Sequence, residues 1–180
     1  MLKTPQQVLD FWFSDEMRPN WFAKSDQIDA RIRNDFAETY AAAHAGKLDD
    51  WMADADSALA LVIALDQFPR NIFRGSPRSF ESNDLALRYA KAALDRGYDQ
   101  QQSPDRRQFL YLPFMHSEEL ADQNRSVELY QALGNEHSLH FARDHRDIVA
   151  RFGRFPHRNA VLGRDSTPEE AEFLKTHQGF

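Results

Sequence analysis

At 180 residues and a net charge of −6, the chain fits one domain and lacks the basic footprint that general nucleic-acid or anionic-membrane binding requires. Cysteine is absent, which excludes a disulfide, a thiolate nucleophile and a cysteine-held zinc site, and suits a reducing compartment. Hydrophobic residues make up 42% and include 14 Phe and 3 Trp, enough for a substantial core beneath an ordinary 28% charged fraction.

The N-terminal Met1-Leu2-Lys3-Thr4-Pro5 lacks the apolar core of a secretory signal. Thr4 reads as the cap of a first helix with Pro5 at its first position and Val8, Leu9, Phe11 and Trp12 to bury. Ile28, Ile32, Phe36 and Tyr40 then recur at helical spacing, with Ser25 as cap and Gly46 as stop. The longest apolar run, Ala58 to Leu65, is far too short to span a bilayer. Its Ala and Leu content predicts a helix over 57–68 rather than a buried strand, closed by Pro69.

A fourth helix starts at Ser82 or Asn83 and ends at Gly97; Ser103-Pro104 opens a fifth that runs into Pro113. Ser117 to Leu133 and Asn135 to Phe152 follow, each closed by a glycine, and Thr167-Pro168-Glu169-Glu170 is a capping-box start. No segment alternates as a strand does. The expectation is an all-α fold of eight helices over a single domain, 1–180, in a soluble, cytoplasmic protein.

Two stretches echo each other. Phe68-Pro69-Arg70-Asn71 precedes Gly75-Ser76-Pro77, and Phe155-Pro156-His157-Arg158-Asn159 precedes Gly163, Ser166 and Pro168. One reading is structural: Arg70, Arg74, Arg151, Arg154 and Arg158 cap helix ends and pair with acids such as Asp66 and Asp84. The other is a pocket in which two loops present forked guanidiniums to a carboxylate or phosphate.

Between them, Pro113 marks a helix break at His116, Ser117 and Glu118, where Ser117 or Glu118 opening the next helix as a cap or early acid is the favoured reading and His116 as an acid/base oriented by Glu118 the other. His137, His140 and Asp144 share one helical side but have no matching ligand pair elsewhere, so a solvated face is favoured over a metal site. The aromatic residues Phe11, Trp12, Phe13, Trp21 and Phe22 could form a ligand lid, but most of them read as core. No phosphate loop, nucleophile elbow or dinucleotide fingerprint is present.

The blocks D-F-W-F, A-L-A-L-V-I-A-L-D-Q-F-P-R-N, L-Y-L-P-F-M-H-S-E and F-P-H-R-N-A-V-L-G-R-D-S-T-P-E-E, taken together, resemble the bacterial domain-of-unknown-function family 924, from Val8 to about Leu174. The resemblance implies stacked antiparallel helix pairs, a tetratricopeptide-like right-handed superhelix without the consensus repeat. It implies no activity, cofactor or catalytic residue.

The leading expectation is a binding protein that holds a small anionic ligand or an acidic peptide in a helical groove. Its candidate residues are Arg70, Asn71, His116 and Glu118, then Arg154, His157, Arg158 and Asn159, with Asp66 and Gln67 orienting the arginines. A hydrolase using His116 or His157 on an anionic metabolite is the alternative, and a protein-interaction scaffold with purely structural polar motifs the second. No metal, cofactor, nucleic acid or membrane is implied as a partner.

Overall fold

The computed structural model describes all 180 residues, and they form helices and turns with no strand. Ten α-helices run in order: α1 (Pro5–Trp12), α2 (Asp26–His44), α3 (Ala55–Asp66), α4 (Phe68–Ile72), α5 (Asn83–Asp95), α6 (Pro104–His116), α7 (Leu120–Leu133), α8 (Glu136–Phe152), α9 (Asn159–Leu162) and α10 (Pro168–Phe173). The helices pack in pairs, as the all-α expectation requires. They group into two compact units, Met1–Arg74 with Arg78–Pro113, and Gly75–Pro77 with Phe114–Phe180.

The first unit is built around α3. Ala58 to Leu65 are all fully buried, because α1, α2, α4 and α5 pack against this helix and leave it no solvent face. That is why its sequence shows an unbroken apolar run instead of an amphipathic stripe. Its cap is Asp54, whose carboxylate accepts from the Asp56 and Ser57 amides, so the helix begins two residues before the predicted Ser57. The predicted face of α2, Ile28, Ile32, Phe36 and Tyr40, is buried throughout, and Ser25 accepts from the Ile28 amide. In α1 Thr4 and Gln7 form a reciprocal capping box.

Two stretches expected as loops are helical. Gln67 separates α3 from α4, and Pro69 stands in the first turn of α4, where its missing N–H leaves no bond unmade. Pro156–Arg158 forms a 3₁₀ turn that runs straight into α9. Proline therefore stands in the first turn of the new helical segment in both places, while Gly153 is what closes α8 before Pro156. Pro113, expected to break α6, lies inside it. Phe109, Leu110, Tyr111, Leu112, Phe114 and Met115 are all buried around it, and that burial outweighs the lost backbone bond.

In the second unit α7 and α8 form a helical hairpin across Gly134 and Asn135. Gly134 adopts the left-handed conformation, and Asn135 accepts from the Ser138 amide to cap α8. The predicted start of α7 at Ser117 shifts to Leu120, since the Ser117 hydroxyl instead accepts from the Glu119 amide and bonds Asp122. Ile148, Val149 and Phe155 make an apolar core with Phe152 and Phe173 against it. No helix is long and apolar enough to cross a membrane.

Candidate functional site

Of the sequence candidates, Asp66, Gln67, Arg70 and Asn71 lie in the first unit and the other six in the second. Asp66 ends α3, fully buried, and accepts from the Gln67 side chain at 2.7 Å. Arg70 reaches back one turn to the Asp66 carbonyl at 2.5 Å and across to Asn83 Oδ1 at 3.1 Å. It thereby closes the C-terminal end of α3, whose last carbonyls have no helical partner.

Asn71 turns the other way. Its amide donates to Asp29 Oδ1 at 2.8 Å, and Arg74 grips the same carboxylate with two bonds of 2.5 and 2.8 Å. Burial pushes the Asp29 carboxyl up, but the Arg74 and Asn71 hydrogen bonds outweigh it and hold it below the usual range. Asp29 was not among the sequence candidates. Its position on the buried face of α2, one residue after Ile28, is the signal that would have found it.

In the second unit the polar residues form two linked clusters. Glu118 accepts from the Phe155 amide at 2.8 Å and receives both arms of Arg164, at 2.7 and 2.9 Å. Burial raises its carboxyl, and the Arg164 and Phe155 bonds lower it further than burial raises it. Both oxygens of Glu118 accept from these groups. His116 ends α6, and its carbonyl accepts from Arg158 at 3.0 Å. The Arg158 guanidinium is buried against the Phe155 ring, 4.4 Å from the centroid.

Glu170 organises the other cluster. Arg154 holds it with two bonds of 2.7 and 2.8 Å, the Thr167 amide donates at 2.8 Å, and Asn159 adds a longer contact at 3.2 Å. The Arg154 bonds first, then the Thr167 amide, bring its carboxyl down to about 2. Asn159 also accepts from Arg164 Nε at 2.9 Å, which joins the two clusters. The sequence identified Glu170 as half of a capping box, and the structure bears that out. Its second task, pairing with Arg154, is a tertiary contact.

His157 differs from the two carboxylates. Its Nδ1 is buried and has no hydrogen-bond partner. Burial, then the nearby Arg158 and His177, lower its pKa to about 4. His145 lies in the same unit and is electrostatically coupled to it. It is buried, its Nδ1 contacts the Phe141 carbonyl at 2.7 Å, and its pKa is lowered to about 3 by burial and then by its electrostatic interactions with His116, Arg158 and His157. Both imidazoles are neutral at pH 7. His140 and Asp144, from the expected metal-type spacing, make an exposed 3.3 Å contact on α8.

The sequence matches the family model of bacterial proteins of unknown function, domain of unknown function 924, over residues 8–178. The chain belongs to this family. Its fold is similar to a solved structure of a protein of unknown function from Agrobacterium tumefaciens, at 44% identity and a TM-score of 0.92, over 96% of this chain and 97% of that one. No curated protein matches it. Membership of the 924 family therefore accounts for the helical fold and assigns no role to these residues.

Proposed function

We propose that this member of the 924 family is a binding protein for a small anionic ligand, with its site in the second unit at His157. The observation that carries the reading is the buried, unpartnered Nδ1 of His157, with the equally unpartnered Nδ1 of His177 in the same unit. Leaving such an atom unpaired costs about 1–3 kcal/mol, which a ligand accepting from the imidazole N–H recovers. Arg158 and Arg164 make the surroundings positive, as their effect on His157 indicates, and so favour an anion.

The first-unit candidates support a structural role instead. Asp66, Gln67, Arg70 and Asn71 bond to one another or to adjacent helices, and so fit the clamp reading. A hydrolase reading is weaker. An imidazole held near 4 by burial and cations is a poor general acid at neutral pH, and Glu118 is already taken. A cytoplasmic setting, consistent with the absence of cysteine, and a tetratricopeptide-like stacking of the helix pairs complete the proposal.

Thermal-shift measurements with phosphate, citrate and acetate test it. A ligand at a hundredfold excess over its Kd stabilises by about 2.7 kcal/mol, so the wild type shifts upward by several degrees and His157→Ala does not. Equal shifts in both proteins overturn the assignment to His157, and no shift with any anion overturns the binding reading.

A further inference from the structure

After α10 the chain continues as a short strap, Leu174–Phe180. Its first part is anchored, with the Thr176 and His177 amides donating to the Phe173 carbonyl. Gln178, Gly179 and Phe180 make no backbone hydrogen bond. They are held by ring contacts. The Phe180 ring lies flat on His145, centroids 3.6 Å apart and planes 17° apart. His177 and His157 meet it edge-on at 5.0 and 5.9 Å, and Phe141 does so at 6.3 Å. This is a slot with a flat imidazole floor and aromatic walls, shaped for one planar ring.

Its present occupant fits the shape and not the chemistry. The Nδ1 atoms of His157 and His177, both buried and without hydrogen-bond partners, flank a phenyl ring that has no polar atom to offer them. The floor is rigid, since His145 is fixed by the Phe141 carbonyl and by the Phe155 edge at 5.5 Å. The occupant is not. Phe180 is 50% exposed, and Gly179 must take a φ of +117°, where a Cβ would meet the His157 ring at 3.3 Å. The strap thus depends on one glycine for its close approach.

Resting on the anion-binding reading of His157, we propose that this slot binds a planar aromatic acid, and that Phe180 fills it in the unliganded chain and leaves when the ligand enters. The ligand ring stacks on His145 in place of the phenyl, and its acid group accepts from the flanking imidazole that Phe180 leaves unpaired. Self-occupancy lowers apparent affinity by the fraction of molecules in which the slot is open.

Titration of the full chain with benzoate and indole-3-carboxylate, with cyclohexanecarboxylate and acetate as comparators, tests this by following the imidazole resonances of His145 and His157. Both aryl acids shift the His145 signals in wild type, and Phe180→Ala binds them about tenfold more tightly if the slot is self-occupied nine times in ten. Gly179→Ala, which keeps the ring but lifts the strap, moves affinity in the same direction and serves if Phe180→Ala is poorly folded. Equal binding of benzoate and cyclohexanecarboxylate, abolished by His157→Ala, overturns the ring slot and leaves the anion site standing. Aryl binding that leaves His145 unmoved, or that gains nothing from either variant, also overturns it. If phosphate or citrate shifts wild type while no carboxylate probe binds any variant, the slot fails alone; if no anion binds, both readings fail.

Discussion

His145 shows how one residue ties packing to pH. Buried beneath Phe180 and beside Phe155, it stays neutral down to about 3, whereas the same imidazole in an unfolded chain takes a proton near 6.5. The unfolded state therefore binds more protons between those values. Stability is whole above pH 6.5 and declines as the pH falls below it, by about 1.4 kcal/mol per unit for this one group. Urea unfolding at pH 6 and pH 5 checks this: His145→Gln flattens the slope by about that amount, and an unchanged slope refutes the assignment. His157 adds to the decline until about 4, and the depressed carboxyls of Asp29, Glu118 and Glu170 add theirs only below the ordinary carboxylate range. Thr4, Ser25 and Thr167 were legible as caps because each bonds to an amide three residues away. Asp29 and Arg164 were not, because their partners Asn71 and Glu118 lie 42 and 46 residues distant.

Among the elements, α3 and the two proline turns separate what periodicity can and cannot say. A continuous apolar run states that all sides of α3 are covered, but not by which helices. Leu61, fully buried in its centre, is expected to cost about 2–5 kcal/mol when changed to Ala, through lost burial and a cavity its packed neighbours cannot close. Thr4→Ala, which removes only a cap at the exposed start of α1, costs about 1 kcal/mol. Guanidinium denaturation ranks the two, and a Leu61→Ala loss no larger than that of Thr4→Ala contradicts the central place given to α3. At Pro69 the sequence signalled a stop and hid the restart, because proline disfavours the helix before it and suits the first turn of the one after; at Pro156 the stop was Gly153 and the proline marks only the restart.

Across the whole molecule, protection is expected to be uneven. Amides of α3 are hydrogen-bonded and buried and exchange with solvent only on global opening of their unit. Those of Gln178–Phe180 have no backbone acceptor and exchange fastest. Native-state hydrogen exchange measures both, and slow exchange in the strap contradicts its description as held by ring contacts alone. The sequence by itself determined the family, through blocks spread along the chain, and the all-helical class, most helix ends and the buried face of α2, since these last rest on interactions within a few residues. Only the tertiary structure decided which acid each arginine meets, that Pro113 sits inside a helix, and that Phe180 lies on His145. Those contacts join residues far apart along the chain, and no local period or cap records them.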